Sequence, residues 1–171
     1  MRSIPIIVLL FCLVAIHTPA AWAVDTAPAV EKYAPPFALQ DLSGKVINLS
    51  DYRGRVVILN FWSTLCAPCT AELPSLSRLA AIFRKDELVV LAVSIDSSDK
   101  PVKDFIEANK LVLTVLRDSD KAVFFDQYAG PALPASYLID RNGIIAEMFT
   151  GPREWDSPGT REMIKKLLEK R

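Results

Sequence analysis

Asn60-Phe61-Trp62-Ser63-Thr64-Leu65-Cys66-Ala67-Pro68-Cys69-Thr70-Ala71-Glu72-Leu73-Pro74 decides how the rest of the chain is read. The stretch opens as the end of an apolar run and passes, through two cysteines spaced C-x-x-C, into a helical pattern. The thiols therefore sit at a strand-to-helix junction. The first turn of a helix has backbone N–H groups without intrahelical partners and the positive end of the dipole, which favours a thiolate. Free cysteine has a pKa near about 8.5, and such settings lower it to about 3.5–7.5. Cys66 is the candidate nucleophile and Cys69, one turn later, the candidate resolving thiol.

Upstream of this stretch the run Arg55-Val56-Val57-Ile58-Leu59-Asn60-Phe61-Trp62 lacks alternation, as does Leu88-Val89-Val90-Leu91-Ala92-Val93-Ser94-Ile95 downstream. Both suit parallel strands covered on two faces. Between them Leu73, Leu76, Leu79, Ala80 and Phe83 recur at helical spacing, and Pro74 is expected to kink that helix. Ser97 to Pro101 reads as the entry to a second helix with Val102, Phe105 and Ile106 on its apolar face. A strand at Leu111–Leu116 and a short helix at Lys121–Ala129 are expected next. Ala135–Asp140 and Ile144–Thr150 flank Arg141-Asn142-Gly143 and predict an antiparallel hairpin. Ser157-Pro158 starts the last helix, with Met163, Ile164, Leu167 and Leu168 as its buried stripe. Before all of these, Phe37–Gln40 and Lys45–Leu49 flank a turn at Asp41-Leu42-Ser43-Gly44 and read as a further hairpin.

The chain begins with Met1-Arg2, an apolar stretch from Ile4 to Ile16, and Ala21-Trp22-Ala23, the form of a secretory signal with a small-x-small cleavage site. The stretch is short for a membrane span, which needs about 20 residues. An uncleaved anchor through His17 and Pro19 is the other reading. Residues 24–36, rich in Ala and Pro, read as a linker, and 37–171 as one domain. Removing 23 of the 171 residues leaves 148, enough for one core. Cleavage also removes Cys12, Arg2 and His17, so the remainder has two cysteines, no histidine, and 19 basic against 20 acidic residues. A net charge of −1 gives no reason to expect a nucleic-acid partner. Structural zinc wants four ligands, commonly Cys and His, which two thiols do not supply. A purely structural bridge over so short a loop stabilises little. Redox chemistry is what remains.

These residues resemble the thioredoxin superfamily, and within it the extracytoplasmic TlpA/ResA branch of thiol-disulfide oxidoreductases. The matching string is Asn60-Phe61-Trp62 ahead of Cys66-Ala67-Pro68-Cys69, followed by Glu72-x-Pro74, and the likeness extends over about residues 34 to 170. It implies a thioredoxin fold: an α/β domain with a central mixed sheet flanked by helices and an N-terminal β-hairpin extension. It implies that Glu72 handles the resolving thiol's proton, against the plainer reading of a solvated helix-surface glutamate. It also implies a cis Pro134 facing the cysteines, with Leu133 presenting main-chain groups to an extended substrate, where an ordinary loop proline would be trans. Trp62 is expected as a shield of the thiols on the substrate side, or simply as core. Asn60 stands where cytoplasmic thioredoxins have a buried aspartate, which moves the acid-base task toward Glu72. Leu65 departs from the family's tryptophan and bears on substrate choice.

The implied activity is reduction of disulfides in a substrate protein, in cytochrome c maturation or copper-site assembly, by an exported, periplasmic monomer. No cofactor is expected, and a membrane electron donor of the DsbD/CcdA kind would recharge it. Two alternatives stay open. A thiol peroxidase of peroxiredoxin type shares the fold, although its T-x-x-C motif is out of register here. A Cu(I)-binding chaperone of the same fold would use both thiolates, without the added histidine that such chaperones have.

Overall fold

The structure is a computed structural model and describes residues 30–83 and 87–170; the expected signal segment lies outside these. Strands β1 (Ala38–Asp41), β2 (Val46–Asn48), β3 (Val56–Trp62), β4 (Leu88–Ser94), β5 (Thr114–Arg117), β6 (Ala135–Ile139) and β7 (Ile145–Thr150) alternate with helices α1 (Ala67–Ile82), α2 (Asp99–Ala108) and α3 (Pro158–Glu169). The strands form one mixed sheet in the order β2-β1-β5-β4-β3-β6-β7. β3 pairs parallel with β4 and antiparallel with β6, and β4 pairs parallel with β5. This is the expected thioredoxin fold, with the β1–β2 hairpin added antiparallel at the far edge.

The two central strands are continuous apolar runs because both faces of the sheet are covered: all seven residues of β3 and of β4 are buried. One face of β3, through Val57, Leu59 and Phe61, packs on Ala34, Phe37, Leu49, Phe124 and Tyr128. The other, through Val56, Ile58 and Trp62, packs on Leu73, Leu76 and Leu79 of α1, Val102 of α2, and Ile164 and Leu167 of α3. Those contacts explain why α1 runs from Ala67 to Ile82 through Pro74 without interruption. An interior proline costs about 3 kcal/mol. Three fully buried leucines at about 1.5–3 kcal/mol each outweigh it.

Two elements differ from expectation. The strand expected from Leu111 begins only at Thr114, because the preceding N–H groups are used elsewhere: Leu111 N donates to Ile106 O (3.0 Å) and Val112 N to Ser77 Oγ (2.9 Å). The helix expected over Lys121–Ala129 is a single wide turn, Val123–Gln127, in which Tyr128 N reaches back five residues to Val123 O. Asp118 fixes its start by accepting from Val123 N (3.1 Å) and Phe124 N (2.8 Å). Part of the stretch read as a linker is tied to the sheet: Glu31 N donates to Ile145 O, Ala34 N to Gly143 O, and Ile145 N to Lys32 O. Residues 31–34 therefore form backbone bonds ahead of the boundary expected at residue 36.

After β7 the chain returns over α1. Ser75 Oγ, 2 % exposed as a residue, accepts from Trp155 N (2.9 Å) and donates to Glu72 O (2.8 Å). Ser157 then caps α3, its side chain accepting from Thr160 N. Replacing Ser75 by alanine leaves the buried Trp155 N–H unpaired, a loss of about 1–3 kcal/mol. Urea denaturation of Ser75→Ala is expected to show that loss as a lower midpoint with an unchanged slope; an unchanged midpoint would mean that Ser75 does not hold the return segment.

Candidate active site

Cys66 is the residue immediately before α1, with extended backbone (φ −100°, ψ 98°). Its N–H donates to Ser63 O (3.1 Å) and its carbonyl accepts the first helical bond, from Thr70 N (3.0 Å). A disulfide joins it to Cys69, with the Cα atoms 5.2 Å apart. The two sulfurs are not equivalent. Cys66 is half-buried, whereas Cys69 is fully buried against the α1 side of the core. Access alone therefore favours attack at, and by, Cys66.

A groove of about 470 Å³ runs alongside, lined by Cys66, Leu65, Asp96, Pro101, Lys121 and Leu133 among others. It brings two sequence-predicted residues together, Cys66 from one end of β3 and Leu133 from the loop before β6. The Leu133–Pro134 peptide is cis. Pro134 is buried, and its carbonyl accepts from Gly151 N (2.9 Å) at the end of β7, where φ is +88°. Leu65, beside Cys66, is 94 % exposed.

Glu72, expected one turn beyond Cys69, is 3 % exposed. Its Oε1 accepts from Asn60 Nδ2 (2.7 Å), and its Oε2 accepts from Arg153 N (3.0 Å). The Asn60 amide also donates to Ser136 Oγ (2.9 Å), across the β3–β6 register in which Asn60 faces Ser136. Burial pushes the Glu72 carboxyl above its ordinary value of 4.5; the bonds from Arg153 N and Asn60, the Trp155 side chain and the Arg153 charge pull it down without cancelling the rise. The result is a carboxyl that keeps its proton to higher pH than a surface glutamate would. The arrangement can hold and release a proton on the buried side of the pair.

Of the two readings of Trp62, the structure has it as core and not on the substrate side. It is fully buried, tilted against Phe105 with ring centroids 5.7 Å apart, and packs in the same cluster as Cys69. A seven-residue strand covered on both faces leaves its aromatic no route to the surface. Among the described residues no group of three or more His, Cys, Asp or Glu side chains is placed to hold a metal ion.

Sequence reasoning missed Asp96, Ser136 and Arg153. Asp96 accepts from Ser63 Oγ (3.0 Å), Thr64 N (3.0 Å), Thr64 Oγ1 (2.6 Å) and Ser94 Oγ (2.7 Å). Burial raises its carboxyl, but the bonds from Thr64, Ser94 and Ser63 outweigh that and hold it below the usual aspartate value. The available signal was an aspartate directly after a buried parallel strand, the end at which α/β sheets place their sites. Arg153 had no comparable signal: its guanidinium lies over the Phe149 ring, 3.9 Å from the centroid.

A thioredoxin fold with a C-x-x-C disulfide at the start of the helix after the central strand defines the class, a thioredoxin-like thiol-disulfide protein. Comparison with known proteins narrows it. The AhpC/TSA family profile matches residues 30–148. The thiol-disulfide oxidoreductase ResA of Geobacillus thermodenitrificans is 36 % identical over 169 residues, covering 99 % of this chain and 93 % of its own. ResA of Geobacillus kaustophilus is 39 % identical over 144 residues, 84 % of this chain and 79 % of its own. A Chlorobium tepidum crystal structure described as thiol:disulfide interchange protein DsbE superposes with a TM-score of 0.75 at 31 % identity, over 83 % of this chain and 99 % of that one. The chain belongs to the AhpC/TSA family, among its thioredoxin-like thiol-disulfide oxidoreductases.

The raised Glu72 carboxyl has a consequence for stability. Between 4.5 and its raised value the native state binds more of this proton than the unfolded chain does. Its contribution is therefore fully present below 4.5 and is lost as pH rises through that window. Urea unfolding of the oxidised protein from pH 4 to 8 is expected to lose more stability with rising pH than Glu72→Gln does. Equal pH dependence in the two proteins would place the Glu72 carboxyl at its ordinary proton affinity.

Proposed function

We propose that this chain is a reductase of disulfides in exported substrate proteins, with Cys66 as nucleophile, Cys69 as resolving thiol and Glu72 as its proton acceptor. The observation that carries the reading is the asymmetry of the pair. The half-buried sulfur shares a groove with Leu133. The fully buried one precedes, by three residues on the same helix, a carboxyl that is itself buried and bonded. Residues three apart on a helix are neighbours.

The reduced protein begins with a Cys66 thiolate. It attacks one sulfur of the substrate disulfide, forming a mixed disulfide and releasing the other substrate sulfur as a thiolate. Glu72 takes the Cys69 proton, and the Cys69 thiolate attacks Cys66 Sγ, which closes the Cys66–Cys69 bond and releases the second substrate thiolate. Two electrons have passed to the substrate, and two protons complete its thiols. Leu133 main-chain groups, beside cis Pro134, hold the substrate segment extended in the groove, and Trp62 supports the thiols from below. No bound cofactor enters the cycle.

The direction is set by what stabilises the reduced form, since a stabilised thiolate makes a stronger oxidant. Ala67-Pro68 brings no histidine between the cysteines, and Glu72 opposes a second negative charge beside it. Both favour a reductant. Residues 1–23 direct export, as a cleaved signal or an anchor, 24–36 connect, and 37–171 form the catalytic domain of a periplasmic monomer. A reductant in an oxidising compartment is recharged by two electrons and two protons from a membrane dithiol donor of the DsbD/CcdA kind. Its substrates are the cysteine pairs of apocytochrome c or of a copper-site protein.

The decisive experiment is trapping in the exported compartment. Cys69→Ser is expected to accumulate a mixed disulfide on Cys66, identified by mass spectrometry, while Cys66→Ser captures nothing and reduces nothing. Glu72→Gln is expected to slow release of reduced substrate by about 100-fold, the low end for loss of a general base. Activity retained by Cys66→Ser, or consumption of hydrogen peroxide at catalytic rates, would overturn the assignment.

A further inference from the structure

We propose that Asp96 is a positioning residue for the thiol chemistry. Its carboxylate fixes the turn that presents Cys66, and its charge at the wall of the same groove keeps down the fraction of Cys66 that is thiolate. The inference rests on Cys66 being the attacking sulfur and adds what holds that sulfur in place and holds its reactivity back.

The geometry is a carboxylate that gathers the whole connection between β3 and α1. Oδ1 accepts from Ser63 Oγ (3.0 Å) and Thr64 Oγ1 (2.6 Å); Oδ2 accepts from Thr64 N (3.0 Å) and Ser94 Oγ (2.7 Å). Ser63 extends the hold, its Oγ accepting from Leu65 N (3.2 Å) and its carbonyl from Cys66 N (3.1 Å). Every residue from Ser63 to Cys66 is thus tied to Asp96 directly or through one intermediate. Ser94 Oγ in turn accepts from Asp96 N (3.1 Å), and Ile95 N donates to Trp62 O (3.0 Å), which seats the anchor on the sheet. An exposed aspartate would serve as a weak loop cap. Here the partners Ser63 and Ser94 are 8 % and 2 % exposed, so the bonds are sheltered from competing water.

The charge has its own effect. Asp96 and Lys121 are the two charged side chains lining the groove with Cys66. From α1, the charged group on the buried side of the pair is Glu72. A thiolate at Cys66 meets a helix start and Lys121, which favour it, and Asp96, which opposes it. Removing the Asp96 charge leaves Lys121 and the helix unopposed. The thiolate then gains, and the pair becomes a weaker reductant.

The test follows the sulfur itself and needs no protein substrate, so its failure is distinguishable from failure of the reductase reading. In the reduced full chain, alkylation by iodoacetamide is followed against pH at the Cys66 peptide by mass spectrometry. Asp96→Asn is expected to raise the thiolate fraction at a given pH below the thiol's midpoint about fivefold, and Lys121→Gln to lower it. At a pH above that midpoint, the equilibrium with glutathione is expected to move about fivefold toward reduced protein in Asp96→Asn, about 20 mV at 29.6 mV per tenfold. Thr64→Val removes the 2.6 Å bond but keeps the charge. It is expected to slow exchange with a small disulfide severalfold with an unmoved alkylation profile. A folded Asp96→Asn with the wild-type profile overturns the electrostatic role, and wild-type exchange rates in Thr64→Val overturn the positional one. Should Asp96→Asn fail to fold, Thr64→Val decides the positional role, and a Lys121→Gln profile identical to wild type would overturn the role of groove charge.

Discussion

A carboxylate placed under a helix and against a sheet loses its water, and it is tolerable there only if the protein supplies bonds in exchange. Glu72 is in that position, 3 % exposed, and its bonds come from two directions: the amide of Asn60 on β3 and the backbone N–H of Arg153 after β7. The first fixes α1 against the central strand. The second fixes the returning chain over α1. Because Cys66 caps this helix and Cys69 lies in its first turn, these bonds also set where the sulfurs lie relative to Pro134, whose carbonyl is held by Gly151 two residues before Arg153. Bonds to charged groups contribute about 1.5–3 kcal/mol, more than neutral ones. An apolar residue at position 72 would pack well enough, but would leave the Arg153 N–H without its acceptor and Asn60 Nδ2 with Ser136 Oγ alone.

The fold was legible in the sequence where one physical signal dominated. Unalternating runs at Val56–Trp62 and Leu88–Ser94 are what two-sided burial requires, and they are the central parallel pair. Ser157-Pro158 is a helix start by capping and by proline geometry, and α3 begins there. The errors came where tertiary bonds overrode local pattern. Leu111 and Val112 have strand-like side chains, yet their N–H groups are committed to Ile106 and Ser77. Lys121–Ala129 was expected as a short helix; positive φ at Lys121 and Ala129 confines the segment to one wide turn.

The site was half legible. Cys66, Cys69 and Glu72 fall within seven residues of one helix, so spacing alone relates them. Leu133 and Pro134 were reachable only through resemblance, because nothing local says that Leu133, more than 60 residues away, lines the same groove as Cys66. Trp62 had two readings, a shield of the thiols or simply core, and because both faces of β3 are covered it lies in the core with Phe105. Arg153 escaped because the group it bonds, Glu72, is distant in sequence and is met through a backbone N–H, which a sequence pattern does not record.

Two carboxylates thus flank the cysteine pair, and their environments push them in opposite directions. Glu72 is buried, and the loss of water outweighs its bonds, so it keeps its proton to higher pH. Asp96 opens on the groove, and its donors outweigh its partial burial, so it stays charged. The difference follows from which side of the helix start each occupies. A proton acceptor for a buried thiol gains from a proton affinity above that of a water-exposed glutamate, and burial raises that of Glu72. A charge that restrains an accessible thiolate is best kept by a carboxyl held below its usual value, as Asp96 is. Exchanging the two environments would put the carboxyl with the lower proton affinity beside the resolving sulfur and the one with the higher proton affinity beside the attacking sulfur.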